Sequence, residues 1–162
     1  MSSAPPPFQA FLDEHRDAVW RFLVASVGRT DADDCFQETF IAALRAYPQL
    51  RSRRREHNLR AWVLTIAHRK ALDAHRARAR RATPLADPLA VSDPAAPSAD
   101  GRDEALWEAV EELPERQRSA VVLRFVGDLA HREIATAIGC SEEAARSSLH
   151  EGLSKLRKVV PA

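Results

Sequence analysis

Apolar residues recur at helical spacing along most of this chain, and no segment alternates in the way of a strand. The clearest helix has apolar positions spaced i, i+3, i+4 and i+7, at Leu59, Trp62, Val63 and Ile66. Trp62 lies in the middle of this stripe, so we expect its ring in the core. The pattern predicts an all-α protein.

Two helices are predicted before this one. The first begins at Phe8 and is interrupted at Gly28. The second opens on residues 31–34, three of them aspartates, which suit a helix N-terminus, and Pro48 is expected to end it. Residues 49–57 are predicted as a basic loop. The apolar positions of the second helix are Phe36, Phe40, Ile41 and Leu44.

The composition changes after residue 81. Residues 82–103 hold four prolines, several alanines and no aromatic residue, which predicts a semi-extended Pro/Ala-rich linker. This linker would divide the chain into two small helical domains, 8–81 and 104–159.

The second domain is predicted as four short helices, of which the last two have a helix-turn-helix pattern. Gly139 permits the positive φ that the turn requires, and Ser141 is a good N-cap. Gly152 lies inside the final helix, where glycine costs about 1 kcal/mol relative to alanine, so we expect a softer helix there. Such patterns also occur in proteins that never touch DNA, so alone this one leaves DNA binding open.

The net charge of +1 hides a strong asymmetry. Residues 51–81 contain eleven Lys or Arg and two acids, a net charge of +9, so the remainder carries −8. This distribution favours a nucleic-acid or acidic-partner surface, although a merely solvated charged face is the alternative.

Several classes of function are disfavoured. The chain has only two cysteines, Cys35 and Cys140, which are too few and too far apart for a disulfide framework or a zinc site. We expect both to be small buried hydrophobic residues, which is consistent with a reducing compartment. The six histidines are scattered, and no glycine-rich phosphate loop or paired-carboxylate site is evident. We therefore expect that the protein is not an enzyme and that it binds no cofactor and no metal ion. Without a signal peptide or membrane-length apolar run, a cytoplasmic protein without membrane insertion is expected.

Four stretches, in order, carry a resemblance to a known family. Residues 31–40 are similar to a D-x-E-D-x-x-Q-E-x-F helix, and 59–67 to an L-x-x-W-L-x-x-I-A helix. Residues 113–118 are similar to an L-P-x-x-x-R opening, and 133–157 to a closing helix-turn-helix. Together they resemble the extracytoplasmic-function (ECF) sigma factors, small two-domain initiation factors of bacterial RNA polymerase.

The resemblance implies that the acidic helix docks on core RNA polymerase. The candidate contacts are Asp34, Gln37, Glu38 and Phe40. For the aspartates, simple capping of the helix is the alternative reading.

The resemblance also implies that the N-terminal domain opens and reads the minus-ten element as a single strand, which needs a positive groove and a pocket for unstacked bases. The candidates are Arg53, Arg54, Arg55, His57 and Asn58 on the pocket side, and Arg69, Lys70, Arg76, Arg78 and Arg80 on phosphates. The family commonly has Asn where this chain has Arg69.

The helix-turn-helix would read the minus-thirty-five duplex. Its candidate contacts are Ser141, Arg146, Ser147, His150 and Lys155. Three positions that are basic in the family are Ser148, Glu151 and Leu153 here, and Glu142 and Glu143 oppose nearby phosphate. Weak duplex affinity is therefore expected.

The implied function is a sigma factor that binds core RNA polymerase and promoter DNA and helps to melt the promoter. An anti-sigma protein is the implied regulatory partner. One alternative is a sigma-like interaction protein whose C-terminal domain has weakened duplex recognition. A plain helix-turn-helix repressor would leave the acidic helix and the +9 segment unexplained.

Overall fold

The computed structural model describes residues 5–52, 58–81 and 101–159 of the 162-residue chain, and these form helices without strands. The helices are α1 (Phe8–Ser52), α2 (Leu59–Arg81), α3 (Gly101–Glu111), α4 (Glu115–Phe125), α5 (His131–Ile138) and α6 (Glu142–Val159). The first two form an N-terminal domain and the other four a C-terminal domain. The predicted all-α class is confirmed. Of the predicted linker, residues 82–100 lie outside the described residues, and 101–103 belong to α3.

The long helix α1 is a hairpin with two arms. Gly28 has φ +80° and ψ 166°, a backbone conformation that breaks the helix and that glycine adopts without a Cβ clash. The arms pack together through aromatic rings: Phe11 lies 6.4 Å from Phe40 and 5.2 Å from Tyr47 between ring centroids. The predicted interruption at Gly28 is confirmed.

The predicted helix end at Pro48 is wrong, since α1 continues to Ser52. Pro48 removes one backbone donor, but its side chain is exposed. Tyr47 and Leu50 on either side are buried, and the Tyr47 hydroxyl donates a hydrogen bond to the Pro6 carbonyl. Burial of these flanking side chains holds the helical path past the proline.

Helix α2 lies against the α1 hairpin and closes the N-terminal core. Val63 and Leu64 are fully buried. Trp62 is half-buried, with its ring centroid 5.7 Å from that of Phe11 and 6.3 Å from that of Tyr47. Trp62 is thus part of the aromatic core, as its place in the apolar stripe predicts.

Both cysteines are free thiols. Cys35 is buried, with Sγ 3.8 Å from the Lys70 carbonyl. Burial, followed by the nearby Glu38 carboxylate, raises the pKa of the Cys35 thiol to about 11, so it stays a neutral, inert hydrophobe. Cys140 is half-buried in the turn before α6.

The C-terminal core is built around Leu123, Leu129 and Ile134, which are almost completely buried. Gly139 ends α5 in the left-handed region, at φ +79°, as the helix-turn-helix prediction requires. The Ser141 hydroxyl accepts a hydrogen bond from the Ala144 N–H at 3.1 Å and caps α6.

Gly152 has a packing role that its sequence position conceals. It is buried, and a Cβ added there would lie 2.9 Å from the Val121 side chain and 3.4 Å from Gln117 Cβ on α4. The expectation of a merely softer helix is therefore incomplete, because the missing side chain lets α6 approach α4 closely.

The two domains pack directly on each other through α1 and α2 on one side and α4 and α5 on the other. His68 of α2 lies in this interface, only 4% exposed, in a small cavity that Arg118 and Ser119 of α4 also line. Burial lowers the pKa of His68 to about 4; the nearby Glu115 carboxylate opposes this shift, and Arg69 and Arg118 add smaller effects in the same direction as burial. The imidazole is therefore neutral near pH 7.

We predict that Gly152→Ala destabilises the protein by about 1 kcal/mol, although alanine favours an isolated helix by a similar amount. The reason is that the new Cβ would lie 2.9 Å from a methyl group of Val121, a β-branched side chain with few alternative rotamers. Urea unfolding measures the effect. In a Val121→Ala background the same substitution should be neutral or stabilising, and a stabilising effect in the unaltered chain would refute the packing role.

Acidification should destabilise the folded chain through His68. The unfolded chain binds a proton below about pH 6.5 and the folded chain only near pH 4, so stability falls as the pH drops through this window. The contribution is roughly 2 kcal/mol between pH 7 and pH 5. Urea unfolding at both values should show a smaller loss for His68→Leu than for the unaltered chain. His150→Leu, at an exposed position, is the control, and equal losses in all three proteins would contradict the assignment.

Candidate nucleic-acid interface

The second arm of α1 presents one exposed face. Asp34, Gln37 and Glu38 all lie on it with exposed side chains. Ile41 and Leu44 continue the same face and are 50% and 54% exposed. Their helical spacing resembles that of a core stripe, so the sequence assigned them to the apolar side of the helix. A face that combines two carboxylates, an amide and two large apolar side chains is suited to docking a protein.

Phe40 does not belong to that face. It is 6% exposed, and its ring lies 4.8 Å from that of Phe36 in the core. The prediction that Phe40 contacts polymerase directly is wrong for this structure, because apolar packing between the arms of α1 covers the ring. Its role is to hold the helix that carries the exposed residues.

The basic segment is only partly described. Arg53, Arg54, Arg55 and His57 lie outside the described residues, so their predicted role stays a prediction. Asn58 is exposed and caps α2, since its Oδ1 accepts a hydrogen bond from the Ala61 N–H at 3.2 Å.

Three of the predicted phosphate contacts form a row on α2. Arg69, Arg76 and Arg80 are exposed and separated by seven and four residues, which places them on one side of the helix. Aligned guanidinium groups of this kind can follow a phosphate backbone.

The remaining two, Lys70 and Arg78, line a cleft of about 430 Å³ between α1 and α2. Four carboxylates line the same cleft, those of Asp31, Asp34, Glu38 and Asp73, and Arg80 reaches it too. Arg78 is paired with Asp31 at 2.6 Å between nitrogen and oxygen. The structure therefore brings part of the predicted DNA set next to part of the predicted polymerase set, where the chain's own acids offset its basic charge.

Asn58 and Arg76 also contact the C-terminal domain. The Asn58 amide donates a hydrogen bond to the Glu133 carboxylate of α5, and Arg76 lies 3.5 Å from the Glu115 carboxylate of α4. A further arginine that the site prediction omitted, Arg60, donates from Nε to the Gly127 carbonyl at 3.0 Å. Its position off the apolar stripe of α2 was the only signal in the sequence.

On α6 the predicted duplex contacts are spread around the helix. Arg146, Ser147 and His150 are exposed on adjoining turns. Lys155 is exposed too, but nine residues from Arg146 correspond to half a rotation, so the two basic side chains face opposite sides. Arg146 is paired with Glu142 one turn earlier, at 2.8 Å. Ser141, also exposed, is committed to capping the helix.

Neither a metal site nor a membrane-spanning helix is evident in the described part of the chain. Among residues 5–52, 58–81 and 101–159 no group of three or more His, Cys, Asp or Glu side chains is arranged to hold a metal ion. None of the helices there has both the length and the apolar character needed to cross a membrane.

Two family models match this chain, one in each half. The family model "Sigma-70 region 2" matches residues 11–81, and "Sigma-70, region 4" matches 103–156. The fold is similar to that of the sigma factor RpoE from Bartonella quintana, solved with the anti-sigma factor NepR. Its TM-score is 0.77 at 22% identity, over 94% of this chain and 95% of that one.

Curated relatives extend the similarity to almost the whole chain. The RNA polymerase sigma factor CarQ of Myxococcus xanthus is 30% identical, over 97% of this chain and 91% of its own length. The ECF RNA polymerase sigma factor SigD of Mycobacterium tuberculosis is 33% identical, over 93% of this chain and 76% of its own. With both sigma-70 regions present in order and these relatives matched along nearly its full length, the chain belongs to the ECF family of RNA polymerase sigma factors.

Proposed function

We propose that this sigma factor binds core RNA polymerase through the exposed face of α1, directs it to promoters, and helps to melt them. The observation that carries the proposal is the exposure of Ile41 and Leu44 beside Asp34 and Glu38. Large apolar side chains rarely stay half-exposed together on a stable helix without a partner. The carboxylates around them favour a partner surface that is apolar and basic.

The second part of the proposal concerns DNA. The basic segment of residues 51–81, with its net charge of +9, supplies the electrostatic attraction for the separated promoter strand. The row of Arg69, Arg76 and Arg80 follows the phosphates, while Asn58 contacts the bases.

The C-terminal domain would place α6 on the duplex upstream. Its charge is low, and Arg146 is already paired with Glu142, so its own affinity is small. The covalent link to the N-terminal domain compensates for this low affinity. Once the N-terminal domain is bound to the promoter, the C-terminal domain meets its DNA element at a high effective concentration.

An anti-sigma protein is the proposed regulator of this chain. The support is the resemblance to RpoE of Bartonella quintana, whose structure was solved in complex with NepR. An anti-sigma protein would have to cover either the exposed face of α1 or the basic surface of α2 to keep the sigma factor inactive.

Runoff transcription with purified core RNA polymerase tests the proposal. A library of promoter fragments, sequenced after transcription, reveals which templates are selected. Promoter-dependent initiation that requires the added chain supports the proposal, whereas absence of initiation on every template contradicts it and favours an interaction protein without initiation activity.

Reversing the chemistry of the α1 face should abolish polymerase binding. We expect Glu38→Lys/Ile41→Asp to weaken binding to core enzyme by at least about 100-fold, since a central apolar contact and a charge are lost together. Fluorescence anisotropy of labelled protein measures this. Asp17→Asn, on the first arm of α1 and exposed, changes the net charge by the same +1 as the double variant and is the matched control.

The opposite pattern should follow from Arg53→Ala/Arg54→Ala/Arg55→Ala. This variant should keep core binding and lose open-complex formation. If it lost core binding instead, the proposed division between the two surfaces would be wrong.

The isolated C-terminal domain, residues 101–162, should bind duplex DNA only weakly. Because its recognition helix carries few unpaired basic groups, we expect a Kd in the micromolar range or above at physiological salt. Gel-shift titration with the selected promoter fragments measures it, after circular dichroism has verified that the fragment is helical. Nanomolar binding would contradict the weak-affinity prediction without affecting the polymerase contact.

A further inference from the structure

A cleft of about 310 Å³ lies between the first arm of α1 and the C-terminal domain, outside the proposed polymerase and DNA surfaces. Its walls are formed by Trp20, Arg21, Val24, Ala25 and Arg29 of α1, by Trp107 of α3 and by Val126 at the end of α4. Sites for small molecules usually start at roughly this volume, and they often lie where two domains meet. The cleft therefore has the size of a site for one small ligand.

The first arm of α1 presents its cleft residues on one side. Trp20 and Val24 are one helical turn apart, and so are Arg21 and Ala25. Gly28, with φ +80°, breaks the helix directly before Arg29, and Arg29 lines the same cleft. The break thus allows two arginines from different turns of the chain to reach one site.

Two indole rings give the cleft flat apolar walls. Trp20 is held edge-to-face against Phe36, at 5.9 Å between ring centroids, yet it remains 37% exposed. Trp107 is half-buried and lines the cleft from the other domain. An aromatic ring of a ligand can stack on indole faces of this kind.

Arg21 and Arg29 add positive charge that the protein itself leaves unmatched. Among the described residues, no acid lines the cleft and no carboxylate is paired with either guanidinium. The Arg21 Nε donates a hydrogen bond to the Asp17 carbonyl at 3.4 Å, which leaves its terminal nitrogens available. Guanidinium groups bind phosphate through two parallel hydrogen bonds.

We propose that this cleft binds a purine nucleoside monophosphate, with the base against the indole rings and the phosphate on Arg21 and Arg29. A phosphate monoester carries a charge of roughly −1.5 to −2 at pH 7, which two guanidinium groups match, whereas a single carboxylate would leave one of them unmatched. The volume of the cleft favours one nucleotide over a strand. Because the walls belong to both domains, the bound nucleotide contacts both of them.

The three tryptophans of the chain provide the measurement, because each indole N–H gives its own signal in a proton–nitrogen correlation spectrum. Adenosine 5′-monophosphate added to the full chain should shift the signals of Trp20 and Trp107, with a Kd below about 1 mM. Trp62, in the aromatic core of the N-terminal domain, is the internal control and should stay unshifted. Trp20→Phe and Trp107→Phe assign the signals.

Two results of this titration would overturn the site. One is the absence of any shift of Trp20 and Trp107 at about 10 mM nucleotide, a concentration that saturates a site of the expected affinity. The other is a shift confined to Trp62, which would place the nucleotide on α2. Neither result bears on polymerase binding by α1.

The arginines are tested by Arg21→Gln and Arg29→Gln, which change exposed side chains. Each should weaken adenosine 5′-monophosphate by about tenfold, since each removes a charge-assisted hydrogen bond to phosphate. Arg45→Gln is the matched control: it lies exposed on the second arm of α1, removes the same charge and should leave the affinity unchanged.

Adenosine, which lacks the phosphate, should bind at least about tenfold more weakly and respond to neither arginine substitution. An equal loss in Arg45→Gln would mean that the nucleotide responds only to overall charge. Equal affinities for adenosine and its monophosphate would mean that only apolar contact is involved. Either outcome would overturn the proposal.

Discussion

Packing of α2 on two sides is the interaction on which the rest of this structure depends. One side buries Val63 and Leu64 against the α1 hairpin, and another carries His68 into the surface of the C-terminal domain. With two faces of α2 packed, little more than one face of the helix remains. That face carries the row of Arg69, Arg76 and Arg80. The fold of the first domain, the position of the second and the basic surface are therefore linked through one element.

Carboxylates of the chain itself and the phosphates of a nucleic acid would compete for the same basic side chains of α2. Of the basic residues on α2, Arg78 is paired with Asp31 and Arg76 with Glu115. A nucleic acid would have to displace these carboxylates, so part of its Coulomb attraction is offset by the loss of internal pairs. The net charge of +9 in residues 51–81 overstates the potential available to DNA. For the same reason the relative position of the domains, rather than composition alone, sets how accessible the basic surface is.

Much of the fold could be predicted from spacing and from single residues with strict backbone demands. Gly28 interrupts α1 and Gly139 adopts the positive φ of the turn, as predicted, and Trp62 packs among aromatic rings as its stripe indicated. Pro48 misled the prediction, because helix-breaking rules describe local hydrogen bonding and omit the burial of Tyr47 and Leu50. Phe40 misled the site prediction in the same way: a motif position does not reveal whether a ring points outward.

The sequence by itself determined the helical class and the concentration of basic charge in residues 51–81. These are consequences of local periodicity and of residue type. Only the tertiary structure decided which apolar side chains stay exposed, with Ile41 and Leu44 outside and Phe40 inside. It also decided that Gly152 serves close packing and that Asn58 meets Glu133. The physical reason is that burial and charge pairing depend on distances between residues far apart in the chain, which periodicity along one helix does not encode.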